Sequence, residues 1–231
     1  MSVSGDEVKK QATSAARSAS GASSPLTSTP LTPRGAKTRA SLVKSARALF
    51  EKNGYLPTSV AEITERASVA HGTFYTYFDS KEDIFAVVAD ELQSDFQAML
   101  GAEPELPPGS SISERVERTN RAYLRAYEQL ARTVAVLEQV STFNARLAEI
   151  RRTSRRFWLQ RNTEAIARWK QHGIIDPEII PEYAASMLGS MIDRSAYVWI
   201  VLGEPYEFDD AVRQLTRVYC NALRIDCHYD A

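Results

Sequence analysis

Residues Thr58 to Lys81 read TSVAEITERASVAHGTFYTYFDSK, directly after Pro57. Thr58 or Ser59 can N-cap a short helix whose inward positions are Val60, Ile63, Thr64 and Ala67. Ser68-Val69-Ala70 then breaks the apolar spacing, and His71-Gly72 opens a second short helix. On it Phe74 and Phe78, four apart, face inward with Val69 just before them. The opposite face carries His71, Thr73, Tyr75, Thr76 and Tyr77: hydroxyls, an imidazole and rings, without a carboxylate. Two short helices joined by a tight turn, the second one displayed, make a helix-turn-helix. Such a face suits a DNA major groove, where hydrogen bonds to base edges specify and contacts to phosphate position.

This unit, followed by Phe-x-x-Lys and a longer helix, resembles the TetR/AcrR family of bacterial transcriptional regulators. The matching residues are Ile63, Val69, Gly72-Thr73-Phe74-Tyr75, Phe78 and Ser80-Lys81-Glu82, within about Thr38 to Val88. Family members usually carry Ala where Thr64 stands and Gly where Ser68 stands. Neither change removes an expected DNA contact, but Ser68 suits the turn less well than Gly if a positive φ is needed there. The resemblance implies a DNA-facing set of Thr38, Thr58, Ser59, His71, Gly72, Thr73, Tyr75, Thr76, Tyr77 and Lys81. Lys81 falls in the first turn of its helix, an unfavourable place for a cation in isolation. A DNA phosphate as partner would explain it; a plain surface lysine is the alternative.

The chain of 231 residues is 44% hydrophobic, enough for a sizeable core, and carries a formal net charge of −1. Between residues 37 and 85, seven Lys or Arg stand against six Asp or Glu, so this region is no polycation. DNA affinity must come from a few placed cations and from helix N-termini offered to phosphates. No run reaches membrane-span length and the N-terminus lacks a signal-peptide core, so a cytoplasmic protein is expected. Cys220 and Cys227 form neither a CxxC pair nor a Cys/His cluster, so neither metal nor cofactor is indicated. The three histidines, His71, His172 and His228, are far apart in sequence and lie in no recognisable catalytic motif. An enzyme is therefore a remote alternative.

Residues 1–36, rich in Ser, Ala, Thr, Pro and Gly, are predicted to be a disordered tail. Its Lys9, Lys10, Arg17 and Arg34 either belong to a solvated leader or brush the DNA backbone as basic arms do. Residues 37–82 form the expected DNA-binding domain. Its first helix, about Lys37 to Asn53, has the stripe Leu42, Val43, Ala46, Leu49 and Phe50, and Gly54 ends it. Asp79-Ser80 caps a linking helix over 81–100, and the Pro/Gly loop 101–110 marks a boundary. Residues 83–231 make the second domain, with helices expected at about 112–131, 133–143, 144–172, 181–203 and 207–225. The pattern predicts an all-α protein: a three-helix DNA-binding domain with a helix-turn-helix, then a C-terminal helical ligand-binding and dimerisation domain.

That second domain carries Tyr123, Tyr127, Phe143, Phe157, Trp158, Trp169, Met187 and Met191, with Arg194 at a stripe position. Core packing accounts for any one of them; the resemblance implies that some surround an inducer pocket between helices. Arg146, Arg151, Arg152, Arg155, Arg156, Arg161 and Arg168 could hold an anionic ligand such as a coenzyme A thioester. They equally read as a charged outer face answered by Glu138, Glu149 and Glu164. Arg194 is an intersubunit ion pair with Asp193, a ligand anchor, or a solvated charge. The stripe Ala184, Met187, Met191 and Val198, with Phe208, Val212, Leu215, Val218, Tyr219 and Leu223 of the last helix, permits a four-helix dimer interface. The resemblance implies that arrangement. The function implied is a homodimeric repressor, released from a palindromic operator by a small hydrophobic or acyl-thioester effector. An activator and a DNA-binding protein that senses nothing are the alternatives.

Overall fold

The computed structural model describes residues 32–102 and 106–225. Among them are eight α-helices and no strand, so the all-α expectation holds. We number them α1 (Pro33–Asn53), α2 (Val60–Arg66), α3 (His71–Phe74), α4 (Lys81–Gly101), α5 (Ile112–Ser141), α6 (Ala145–Gln171), α7 (Pro181–Ala196) and α8 (Phe208–Leu223). Three boundaries differ from the sequence-based expectation. Helix α1 starts four residues earlier, with Pro33 in its first turn, where a missing N–H costs nothing, and Thr32 Oγ1 accepting from Gly35 N at 3.1 Å. The expected tail up to residue 31, like Cys227 and His228, lies outside the described residues. The break expected near residue 132 is absent: α5 runs unbroken for 30 residues, because its stripe simply continues and no Gly or Pro interrupts it. Beyond Ala196 the chain widens to π geometry over Tyr197–Val201.

Three apolar clusters organise residues 37–225. The first joins α1 (Leu42, Val43, Ala46, Leu49, Phe50), Tyr55, Ile63, Phe74, Phe78 and the start of α4 (Ile84, Phe85, Val88). Phe50, Tyr55 and Phe85 meet with ring centroids 5.1–5.5 Å apart. Tyr55 is thus the wedge that its position after Gly54 suggests. The same cluster also contains Val136 and Val140 of α5 and Leu147 of α6. The α5–α6 corner therefore completes the core of the DNA-binding region, although it lies about fifty residues downstream in sequence.

The second cluster fills the space between α4, α5 and α8, and the third lies between α6, α7 and the end of α8. Inside the former, Phe96, Tyr123 and Tyr127 form a triad with centroids 5.7–6.1 Å apart. Asn120 Nδ2 donates to Thr216 Oγ1 at 3.0 Å, a buried polar link between α5 and α8. On α8 the stripe Val212, Leu215, Tyr219 and Leu223 is buried within the protomer, leaving Val218 exposed. The stripe expected to face a second copy is thus mostly used internally, against α5 and α7.

Candidate nucleic-acid interface

Helix α2 begins with a reciprocal cap. Ser59 Oγ accepts from Glu62 N at 3.2 Å, while Glu62 Oε2 accepts from Ser59 N at 2.8 Å. The Ser59 hydroxyl and amide hold the Glu62 carboxyl below its usual range. Ser59 is exposed, but its hydroxyl is committed to this cap. Thr64, at the position where Ala is usual, is buried and donates back to Val60 O and Ala61 O, so the extra hydroxyl is satisfied inside its own helix.

The turn between α2 and α3 hinges on Ser68, whose φ of 56° lies in the left-handed region. The turn does need a positive φ, and a side chain that pays for it sits where Gly would be free of strain. After the turn, α3 lasts only from His71 to Phe74 and continues as turns to Phe78. Phe74 and Phe78 are buried, with centroids 5.6 Å apart. They pin the segment so that His71, Gly72, Tyr75 and Thr76 face outward, with Thr73 and Tyr77 half-buried. Tyr77 also leans on the apolar cluster. His71 and Tyr75 lie 5.6 Å apart, making one aromatic edge of the exposed face. A Cβ at Gly72 would meet nothing within 4 Å, so its backbone is open to a close approach.

Two further residues of the DNA-facing set have other work. Thr58 is 1% exposed, and its hydroxyl donates to Gly54 O at 2.8 Å. It closes the turn after α1 and presents nothing to solvent. Lys81 Nζ donates to Tyr55 O at 2.9 Å, Leu56 O at 3.3 Å and Thr58 O at 2.8 Å, and lies 4.4 Å from the Tyr55 ring centroid. An ammonium has three N–H groups, and three carbonyls take them. Partial burial pulls the Lys81 pKa below its ordinary value. The loop that it clamps gives the first-turn cation a partner without a phosphate. Sequence reasoning missed this because the three acceptors are backbone atoms 23 to 26 residues upstream. Thr38 is half-buried on α1. Arg39, also on α1, places its guanidinium 5.2 Å from the Phe78 centroid, beside the end of the displayed segment.

The residues singled out as pocket candidates separate into three groups. Tyr123, Tyr127, Trp158 and Met191 converge on the second cluster, with Arg194 nearby over the Tyr197 ring at 4.7 Å. Trp169 belongs to the third cluster. Phe143, Phe157 and Met187 are 51%, 46% and 65% exposed, so they line no interior.

Several polar groups also reach the second cluster. Tyr123 OH donates to Asp193 Oδ1 at 2.8 Å, and burial, then Asp193, raises its pKa well above normal. Arg151 Nε donates to Glu138 Oε1 at 2.6 Å, yet burial outweighs the arginine and leaves the Glu138 carboxyl above its usual range. Gln93 Oε1 accepts from Ser154 Oγ and from Trp158 Nε1, while its buried Nε2 has no partner among the described residues. Gln93 could have been found: it interrupts the stripe Ala86, Ala89, Gln93, Phe96 with an amide. The arginine run resolves toward its plainer reading. Arg152 and Arg156 pair with Glu149, Arg151 with Glu138, and Arg155 donates to Ser190 Oγ at 2.9 Å. Glu164 instead accepts from Gln160. No described helix is long and apolar enough to cross a membrane.

Comparison with known proteins places this geometry. Residues 42–88 match the family model of bacterial regulatory proteins of the tetR family. The probable HTH-type transcriptional regulator ArpR of Pseudomonas putida is 25% identical over 196 residues, covering 82% of this chain and 92% of its own. The HTH-type transcriptional repressor DhaR of a Mycobacterium species is 27% identical over 157 residues, 65% of this chain and 76% of its own. Among solved structures, a transcriptional regulator from Rhodococcus sp. Rha1 superposes with a TM-score of 0.66 at 21% identity, over 82% of this chain and 99% of that one. The fatty acid degradation regulator FadR from Bacillus halodurans gives 0.64 at 18%, over 86% and 100%. The displayed helix-turn-helix, the helical second layer and these likenesses agree: residues 42–88 carry the DNA-binding unit of the tetR family of bacterial regulatory proteins, and the chain is similar over most of its length to HTH-type transcriptional regulators.

Proposed function

We propose that the chain is a cytoplasmic, homodimeric, ligand-responsive repressor that leaves its operator when a small hydrophobic effector binds the second domain. The observation that carries the DNA half is the exposed face of His71, Gly72, Tyr75 and Thr76 with the half-buried Thr73 among them, pinned by buried Phe74 and Phe78 and free of carboxylates. These residues, with the half-buried Tyr77, read base edges and sugars. Thr38 and the N-terminal turn of α2 at Ser59 lie against the backbone. The DNA-binding domain is residues 37–82, and 83–231 is the sensing and dimerising domain, with α4 shared between them.

The effector half rests on the aromatic triad Phe96, Tyr123 and Tyr127, with Trp158, Met191 and the unpartnered Gln93 amide beside it. Rings and one unsatisfied donor suit an apolar molecule with a hydrogen-bond acceptor. The acyl thioester has less behind it than the sequence suggests, because Arg151, Arg152 and Arg156 already have carboxylate partners. For dimerisation, α7 offers Tyr183 and Met187 one turn apart on its outer side, with Val218 exposed on α8. Binding-site selection from random and genomic DNA tests the reading. An inverted repeat supports two symmetric reading helices, and compounds made or consumed by the neighbouring genes are then screened for release of that fragment. A single unrepeated half-site would overturn the dimer, and retention by every such compound would overturn the effector.

A further inference from the structure

Below the reading helices, four independent contacts converge on the α5–α6 corner. Arg146, the second residue of α6, pairs with Asp83 in the first turn of α4. The Asp83 side chain is nearly buried and is also held by the Ser80 hydroxyl, whose Oγ lies 2.9 Å from Asp83 Oδ2. Val136, Val140 and Leu147 flank the corner and enter the same core as Phe50, Ile84 and Phe85. Thr133 of α5 donates to Glu51 of α1, whose carboxylate also accepts from Arg47 Nε at 3.1 Å. Phe143, at the tip of the corner, lies 6.4 Å from Tyr55. Tyr55 is in turn under the Lys81 ammonium that fixes the entry to α2.

The corner is stiff on its other side as well. Glu138 and Arg151 pair across α5 and α6 just beyond it, within electrostatic reach of Asp193 and Arg194 on α7. A rigid hairpin end therefore has the polar interior of the second domain on one side and the reading head on the other.

We propose that Arg146 and Asp83 are positioning residues for DNA reading: their ion pair is the joint by which the α5–α6 corner sets the placement of α2 and α3. This rests on the second domain acting as a sensor, and it assigns the transmission to the corner in addition to the direct run of α4. A shift of α5 against α6 moves Arg146, Arg146 carries the N-terminus of α4, and Ser80-Lys81 carries the 55–58 loop that leads into α2. Nothing in this route touches DNA or effector.

Coupling is reciprocal, so DNA can be used as the probe without knowing the effector. Hydrogen exchange is measured on the full chain with and without a selected operator fragment. DNA should slow exchange directly in residues 60–78, and should also change exchange in residues 133–151 by about fivefold or more in the wild type. Arg146→Met should keep the first response and lose the second. Asp83→Asn, which is isosteric and can keep the Ser80 contact, should do the same, and the double variant should be no worse than either single one. A wild type whose 133–151 segment ignores DNA overturns the joint. So does an Arg146→Met or Asp83→Asn chain that transmits an undiminished response, whatever its thermal stability. Failure of every effector screen, with the exchange response present, would instead fault the sensing role and leave the joint standing.

Discussion

Replacing Lys81 with Met keeps an apolar stem of similar length and removes the ammonium. The structure then loses donors to Tyr55 O, Leu56 O and Thr58 O at 2.9, 3.3 and 2.8 Å and the contact with the Tyr55 ring. A charged hydrogen bond that is removed costs about 1.5–3 kcal/mol when its partner stays buried. Here water can reach Leu56, which is exposed, and the site is only partly buried, so the three bonds together are worth about 2 kcal/mol rather than their sum. The ring contact adds roughly 0.5 kcal/mol. A total near 2.5 kcal/mol lowers Tm by roughly 5–10 °C in a chain of this size. Arg at this position restores little, because a planar fork cannot converge on three carbonyls as an ammonium does. Thermal unfolding measures the loss, and operator affinity against salt measures the role. If Lys81 only clamps the loop, affinity falls but the slope of log K against log salt stays the same. A slope reduced by about 0.9, one phosphate's worth, with Tm unchanged would refute the clamp and return Lys81 to the DNA.

Three other perturbations probe neighbouring parts. Ser68→Gly relieves a φ of 56° and should raise stability by about 0.5–1 kcal/mol, read from chemical denaturation; a loss would mean the serine side chain holds the turn. Burial works against the Asp83 carboxylate, but Arg146 and Ser80 outweigh it and hold its pKa below the ordinary value. Its contribution is therefore complete above the unfolded pKa of about 3.9 and is lost as pH falls through the lower folded one, so Asp83→Asn should flatten the acid limb of a stability-versus-pH curve below about pH 4. His71→Ala and Thr73→Ala should each change base preference at one or two operator positions, by about 1–3 kcal/mol in a competition assay over variant operators; a uniform loss across all sequences would place them on the phosphates.

The DNA-reading unit was legible because its evidence is local. Ser59 with Glu62 three residues on, the Ser68 interruption and the Phe74/Phe78 spacing all act within one or two turns, where sequence order and spatial order coincide. The partners of Lys81 and Thr58 were hidden for the converse reason. Each is a polar residue at an element boundary, which looks exposed in sequence, and each is satisfied by a backbone carbonyl that no residue type reveals. The α5–α6 corner was invisible on the same ground. Val136, Val140 and Leu147 announce only that they face something apolar, and nothing in their spacing says that the partner is Phe50 or Phe85.

The outer faces of α7 and α8 show the limit most clearly. Periodicity on α8 picks out Val212, Leu215, Tyr219 and Leu223 as one stripe, and a stripe has one side to bury. The protomer uses it against its own α5 and α7, so the same residues are not left over for a second copy. What remains exposed is irregular by comparison: Ile180, Tyr183 and Met187 on or before α7, and Val218 on α8. Ile180, Tyr183 and Met187 are three and four apart and so share a helical face, one that Arg155 borders through Ser186 and Ser190. The proposed dimer therefore has α7 at its centre, with the large side chains of Tyr183 and Met187 exposed there rather than the small residues Gly189 and Ser190. Gly189 already faces inward, since a Cβ there would lie 3.8 Å from Asn162 Nδ2 of the same chain. If two copies meet on α7, as proposed, Tyr183 and Met187 lie where they would touch, and a charge introduced there would be expected to separate them.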